Sequence, residues 1–267
     1  MKDKLLLLDG DQFLFRAAAA VEQEAKFNEV LDEVDWSEPP VHVLFSHPGR
    51  AREVFDQMIE RIFERFETRN HFMCFSSPPN FRFTIDKSYK NNRQNSRKPL
   101  CYVQLLEDVQ NDTQFLCKSF PTLEADDVMG VLATMPMVVK KWDPIIVSAD
   151  KDMKTIPTTI WNGEDLVTYT EEEADYWHMY QTLVGDTADG YKGCPGIGKV
   201  KAEKLLTTET DTGEQPLTNM WPRVVAAYEK AGLTEQDAIT QARLARILRW
   251  EDWDNDNKKP ILWTPNA

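Results

Sequence analysis

Histidine and cysteine are scarce in this 267-residue chain, four of each. Cys74, Cys101, Cys117 and Cys194 make no CxxC pair, and His42, His47, His71 and His178 lack zinc-ligand spacing. Both facts argue against a zinc site and for reduced, structural thiols. No apolar run approaches a membrane span, and the first residues have neither a basic start nor a secretory apolar stretch with a cleavage site. A soluble protein of the cytoplasm is therefore expected. Positive charge is also in deficit, 31 Lys and Arg against 44 Asp and Glu, for a net charge of −13. Taken as a sum, this opposes nucleic-acid binding, which needs cations to displace the counterions of phosphates. Disorder is excluded by 42% apolar content with ordinary Gly and Pro usage. The length allows one large α/β domain and a small appendage.

The distribution of charge says more than the sum. Arg82, Lys87, Lys90, Arg93, Arg97 and Lys98 face only Asp86, and Lys192, Lys199, Lys201 and Lys204 face only Glu203. These are two cationic patches on an acidic chain. The acids themselves fall in four groups: Asp9 and Asp11; Glu124, Asp126 and Asp127; Asp150 and Asp152; Asp186 and Asp189.

Hydrophobic periodicity places those groups. Lys4 to Leu8 reads as a buried parallel strand ending at Asp9-Gly10. Residues 51–69 carry apolar positions at helical spacing, and His71 to Phe75 reads as a second strand. Ser76 to Arg97, rich in Ser, Pro, Asn and cations, should be a loop. Leu123 to Met135 reads as a helix, and Pro144 to Val147 as a third strand leading into Asp150 and Asp152. Thr170 and Glu173 form a capping-box pattern for a helix that Gly185 stops. A further helix should run through Leu205 and Leu206, Thr207 to Pro216 should be a polar linker, and Trp221 to Trp263 should be mainly helical. Alternating strands and helices imply a parallel sheet, in which ligands bind beyond the carboxyl ends of the strands. Asp9, Asp150 and Asp152 fall there.

Carboxylates without histidines suit hard divalent ions, and crowded like charges call for a cation to neutralise them. An acid after a strand is also a common turn or cap residue, so each group alone carries a bland explanation. Glu124 and Asp127 share a helical face, while Asp126 joins them only if the helix begins near it. In Tyr89-Lys90-Asn91-Asn92-Arg93 a helical turn would put both cations on one face to grip a phosphodiester, with Tyr89 free to stack on a base; a solvated loop is the alternative. Gly193-Cys-Pro-Gly196-Ile-Gly198-Lys199 resembles the glycine-rich turn of a helix-hairpin-helix, whose N–H groups meet a phosphate, with an ordinary glycine loop as the alternative. It is not a P-loop, because Val200 stands where GxxxxGK(S/T) needs Ser or Thr.

In order along the chain, LLLLDGD, YKNNR, LEADDVMG, VSADKDMKTI and GDTADGYKGCPGIGKVKAEKLL resemble the flap-endonuclease and 5′→3′ exonuclease family, and QARLARILRW resembles its short-tailed-phage subgroup. The resemblance implies a PIN-like, mostly parallel α/β sheet flanked by helices over 1–180, with a basic arch or gateway at about 78–118. It implies a helix-three-turn-helix region with C-terminal helices over 181–267. The family's metal ligands fall on Asp9, Glu124, Asp126, Asp127, Asp150, Asp152, Asp186 and Asp189. Its catalytic lysine and arginine fall on Lys90 and Arg93 beside Tyr89, with Asp150 central to catalysis. Duplex contacts fall on Gly193, Gly196, Gly198, Lys199 and Lys201.

Asp11 is an extra acid, suited to supporting the ligands from behind. Many relatives carry an acid after the second strand, where this chain has Ser76-Ser77-Pro78-Pro79. The implied reaction is hydrolysis of DNA from 5′ ends by two magnesium ions about 4 Å apart. Manganese is a substitute, and potassium is a family-based expectation at the glycine turn. Duplexes with 5′ ends or flaps, and RNA–DNA hybrids, are the implied substrates of a monomer with no organic cofactor and no membrane partner, acting in the cytoplasm of an infected bacterium. Two rivals stand beside it. One is a haloacid-dehalogenase-like phosphatase using Asp9-Gly10-Asp11, which would want Thr or Val at Phe13; the other is a non-catalytic DNA-binding protein.

Overall fold

The computed structural model describes residues 2–26, 42–93, 96–210, 213–216 and 219–265. Leu5 to Leu8 are all buried, as a strand covered on both faces requires. They lie in β1 (Asp3–Asp9), which runs directly into α1 (Gly10–Ala20). An antiparallel pair, β2 (Gln23–Lys26) and β3 (His42–Phe45), precedes α2 (Pro48–Phe66). Pro48 sits in the first turn of α2, and Phe55, Ile59, Ile62, Phe63 and Phe66 form its buried stripe. Then come β4 (His71–Cys74), α3 (Tyr102–Asn111), β5 (Cys117–Lys118), α4 (Ala125–Thr134), α5 (Pro136–Lys141) and β6 (Trp142–Val147). β7 (Thr159–Trp161) and β8 (Leu166–Thr168) complete a six-stranded sheet ordered β5-β4-β1-β6-β7-β8. Only the β7–β8 pairing is antiparallel.

The pleat divides the core. Leu6 and Leu8 pack with α1, α2 and α3, while Leu5 and Leu7 pack with α4 on the other face. A separate core lies among α6 (Glu171–Val184), α7 (Lys199–Leu206), α8 (Trp221–Lys230) and α9 (Glu235–Ala245). The Thr170–Glu173 capping box is present, with hydrogen bonds of 2.8 and 3.2 Å, and α6 ends at Gly185 with φ +72°. Among the described residues no helix is long and apolar enough to cross a membrane.

Three segments depart from expectation. Ser76 to Arg97 contains two 3-10 turns, Phe81–Thr84 and Asn91–Arg93. The first is capped by Asn80, whose side-chain oxygen accepts from the Arg82 N–H at 2.9 Å. The expected linker at Thr207 to Pro216 is an antiparallel pair, β9 (Thr207–Thr210) and β10 (Gly213–Pro216), in keeping with its β-branched threonines. Finally, the α-helix stops at Ala245, and only a 3-10 turn, Trp250–Asp252, follows among the described residues. Past Ala245 two backbone groups bond to α4: Leu248 N–H donates to Asp127 at 3.1 Å and Trp250 N–H to Thr134 Oγ1 at 2.7 Å. Ile247, Leu248 and Trp253 thereby join the core around α4. A last antiparallel pair, β11 (Trp253–Asp254) and β12 (Lys259–Pro260), closes the chain.

His178 on α6 is a pH-sensitive brace between α6 and α9. It is 1% exposed and hydrogen-bonds the Ala242 carbonyl through Nε2 at 2.8 Å. Burial, then the charges of Arg246 and Arg249, hold its pKa well below the ordinary 6.5, against the opposing pull of the Ala242 carbonyl. The imidazole is therefore neutral in the folded state. Its contribution to stability is complete above the unfolded value near 6.5 and is withdrawn as pH falls below it toward the depressed folded value. Urea midpoints measured from pH 7.5 to 5 should fall more steeply for the wild type than for His178→Gln. Parallel profiles would contradict this role.

Candidate active site

The parallel order puts the carboxyl ends of β1 and β6 side by side, so Asp9 and Asp150 emerge at one rim of the sheet. Each uses one oxygen locally: Asp9 Oδ1 accepts from Gln12 N–H at 3.0 Å, and Asp150 Oδ1 from Asp152 N–H at 2.8 Å. Local capping thus occupies one oxygen of each side chain while both carboxylates stay at the rim. Because α4 begins at Ala125, Asp126 sits in its first turn and faces the same rim. Glu124, Asp126, Asp150, Asp152 and Asp189 line one cleft together with Arg82, Tyr89 and Tyr191. Asp9 adjoins Asp126 closely enough for their charges to interact, and Asp186 does the same with Asp152.

The electrostatics record the crowding. Burial, followed by the charges of Asp11 and Asp150, raises Asp9 to about 6 despite hydrogen bonds from Gln12 and Ser148. Burial and the charges of Asp150, Asp186 and Asp189 raise Asp152 to about 7, with Lys151 opposing. Asp126 is held well above the usual carboxylate range by burial and by Asp9, Asp150 and Glu124. These are desolvated acids short of positive charge, and hard oxygen donors of this kind fit a divalent cation. Among the described residues no three acids stand ready as ligands of one ion.

Side-chain cations hold several of the oxygens. Lys90 Nζ lies 2.6 Å from Glu124 and 3.5 Å from Asp189, Arg93 lies 2.6 Å from Asp189, and Lys151 Nζ lies 2.7 Å from Asp186. Burial lowers the Lys90 pKa, but the charges of Glu124 and Asp189 outweigh it and leave it raised. Burial raises Glu124 and Asp186, yet their cationic and hydrogen-bonding partners hold both below the ordinary value. The basic turn is docked by its backbone as well, since Lys90 N–H donates to the Asp189 carbonyl at 2.9 Å and Asn92 bonds the carbonyls of Thr187 and Ala188. Lys90 adopts φ +54°, in the left-handed region, to meet this loop.

Three residues expected in the site do something else. Asp127 is fully buried; both its oxygens receive Arg82, at 2.7 and 2.8 Å, and also accept the N–H groups of Glu124 and Leu248. It has no lone pair to spare for a metal and belongs to an internal ion pair. Tyr89 is 2% exposed, with its hydroxyl 3.1 Å from both Glu124 and Asp189, so its ring is not available to stack on a base. Gly193 spends its N–H on Gln241 at 2.9 Å. With φ +64° and room for a Cβ only 2.4 Å from Gly185 N, it serves to close the turn and not to receive a phosphate.

Gly196 and Gly198 differ from Gly193 in having no protein atom where a Cβ would point, and Lys201 Nζ folds back onto the Gly196 carbonyl at 2.9 Å. Beside them, between α7 and α8, lies a groove of about 590 Å³ lined by Lys201, Lys204, Arg223 and Lys230 and by no acid. Lys192 and Lys199 stay outside this lining.

A profile of the family "5′-3′ exonuclease, N-terminal resolvase-like domain" matches residues 4–177. The chain belongs to the 5′→3′ exonuclease family. The exodeoxyribonuclease of Enterobacteria phage T3 is 32% identical over 98% of this chain and 93% of its own length, and the exonuclease of Escherichia phage T7 is 32% identical over the same shares. In structure the chain resembles the bacteriophage T5 D15 protein co-crystallised with metal ions, with a TM-score of 0.61 at 16% identity, covering 91% of this chain and 89% of that one. That likeness supports the PIN-like fold. Family membership also sets the phosphatase reading aside, and Asp9, 5% exposed and bonded to Ser148 Oγ at 2.8 Å, is poorly placed as a nucleophile.

Past β4, where the resemblance implies an acid, the chain has Ser76-Ser77. Ser76 N–H donates to Asp11 Oδ2 at 3.1 Å, and Ser76 Oγ accepts from Ala125 N–H at 3.0 Å. Asp11 therefore reaches the end of β4 from α1. Ser77 itself makes a backbone bond to Leu123.

Proposed function

We propose that this exonuclease-family chain hydrolyses DNA phosphodiesters from 5′ ends using divalent metal ions, magnesium in the cell. The observation that carries the reading is the shared cleft of Glu124, Asp126, Asp150, Asp152 and Asp189, with Asp9 and Asp186 adjoining, beside Lys90 and Arg93. Two magnesium ions held by these carboxylates would supply hydroxide from water and stabilise the departing 3′ oxygen. Asp9, Asp126 and Asp150 form one ligand group with Glu124; Asp152, Asp186 and Asp189 form the other.

Lys90 and Arg93 lie against oxygens of Glu124 and Asp189 that would hold metal, and with metal bound they would be free to face the scissile phosphate and offset its growing negative charge. Lys151, unassigned by sequence reasoning, is a third such cation. Residues 1–180 carry most of the chemistry, residues 181–267 add Asp186 and Asp189 and hold the duplex, and Arg246 to Trp253 return to brace α4. Gly196, Gly198, Lys199 and Lys201 meet the duplex backbone without reading bases, joined by Lys204, Arg223 and Lys230 in the α7–α8 groove. Flapped ends and RNA–DNA hybrids suit the same backbone-directed grip.

Magnesium titrated against a 5′-labelled duplex tests this function. Labelled nucleotides released only with metal are the expected result; release of phosphate alone, or binding without products, would overturn it. Gly198 offers a cleaner probe of the duplex grip, because its φ is −96° and an added methyl meets nothing in the protein. Gly198→Ala should keep the wild-type unfolding midpoint and weaken duplex binding about fivefold, or ~1 kcal/mol, by obstructing close backbone approach. Unchanged affinity would remove Gly198 from the interface.

A further inference from the structure

On the α1–α2 face of the sheet, away from Glu124 and Asp126, a cavity of about 220 Å³ opens beside the acidic rim. Its wall includes Ser148 and Ala149, the two residues before Asp150. Ser148 Oγ bonds Asp9 at 2.8 Å, and Ala149 N–H bonds Gln12 at 3.1 Å, so the cavity and the acidic cleft share a wall. Its floor is apolar and aromatic, with Phe13 and Trp161. Arg16 from α1 and Arg61 from α2 stand at its edge, both exposed, and no acid lines it. Neither arginine has an ion-pair partner among the described residues. The Trp161 indole N–H is buried without an acceptor, and its ring is steadied by Arg65 at 5.2 Å and by Phe66 edge-on at 5.6 Å.

An aromatic floor and two unpaired guanidiniums are what a base and a phosphate require together. The α6–α9 region that holds the duplex reaches the cleft from the Asp152 and Asp186 side, through contacts of α6 with the Lys151–Thr155 turn. The strand end beyond the scissile phosphate must then leave across the rim. We infer that this cavity receives the 5′-terminal nucleotide of the strand being degraded, with its 5′-phosphate on Arg16 and Arg61 and its base against Trp161 and Phe13. The inference rests on the nuclease reading for its biological meaning, but the pocket binds by its own chemistry. Its consequence is a preference for 5′-phosphorylated ends.

Equilibrium dialysis in EDTA, with deoxyadenosine 5′-monophosphate and deoxyadenosine as probes, tests the pocket without turnover. Wild-type protein should bind the nucleotide at least tenfold more tightly than the nucleoside. The double variant Arg16→Gln/Arg61→Gln, with folding verified by its unfolding midpoint, should lose that difference. In a second arm, 5′-phosphoryl and 5′-hydroxyl duplexes are compared as substrates. The wild type should favour the phosphoryl end at least fivefold, and the double variant should not. No phosphate-dependent binding, or a preference that survives both substitutions, overturns the inference. If neither duplex is cut, the nuclease reading fails, and dialysis alone decides the pocket.

Discussion

Asp150→Asn should fold, bind duplex DNA and lose metal-dependent cleavage by on the order of 10³-fold. The magnitude follows from the role: a ligand that fixes a catalytic cation supports several kcal/mol of transition-state stabilisation, and each 1.4 kcal/mol is about tenfold in rate. The expected survival of the fold follows from geometry. Asp150 caps the turn at Lys151–Thr155 by accepting the Asp152 N–H, and asparagine presents the same oxygen and caps equally well. What changes is one negative charge in the midst of Asp9, Asp126 and Asp152. Single-turnover rates in magnesium, measured beside binding in EDTA, separate the two properties. Cleavage at a wild-type rate would exclude Asp150 from the reaction.

The largest effect on stability is expected at Asp127. Arg82 is 3% exposed, and its guanidinium is received by both Asp127 oxygens, by Glu124 at 3.3 Å and by the Leu244 carbonyl at 3.1 Å. Burial lowers the Arg82 pKa, but the charge of Asp127 more than offsets it. Removing one member of such a pair strands the other charge, at roughly 3–5 kcal/mol. For a chain of this size that corresponds to a fall of roughly 6–20 °C in the unfolding midpoint. Asp127→Ala should show that loss in calorimetry even without metal. A variant of normal stability with weakened metal affinity would return Asp127 to the ligand set.

Arg82 and Asp127 also mark the limit of what the sequence discloses. The strand ending in Asp9-Gly10 and the capping box at Thr170 are local patterns, and local periodicity and capping chemistry made them legible; the helix start at Ala125, two residues later than the apolar pattern suggests, decides the place that the sequence left open for Asp126. Asp9, Glu124, Asp126, Asp150 and Asp152 were legible as neighbours because each follows a strand or opens a helix in a parallel α/β order, whereas Asp186 and Asp189 lie in the loop after α6. Nothing local distinguishes Asp127 from Asp126. Their roles are separated by a guanidinium 45 positions upstream and by backbone N–H and carbonyl groups contributed from 244–248. The same holds for Tyr89, an exposed aromatic by its basic neighbours and a buried one by the fold. In QARLARILRW the pattern suggests helix throughout, but its second half surrenders helical hydrogen bonds to brace the cleft. The groove cations Arg223 and Lys230 were hidden for a similar reason, since only the packing of α8 on α7 brings them beside the glycine turn.

Lys90, Arg93 and Lys151 give the account its dynamic element. Each cation lies against an acid that the proposed chemistry needs for metal, so loading the site means exchanging partners. The arrangement spares the cleft some of the repulsion among its carboxylates.

Anomalous scattering from crystals soaked in manganese tests the central claim most directly. Density peaks should appear in the cleft between Asp9, Glu124, Asp126 and Asp150 and beside Asp152, Asp186 and Asp189, with Lys90, Arg93 and Lys151 drawn off their carboxylates. A cleft without manganese, its acids still paired to those three side chains at saturating metal, would contradict the proposed reaction.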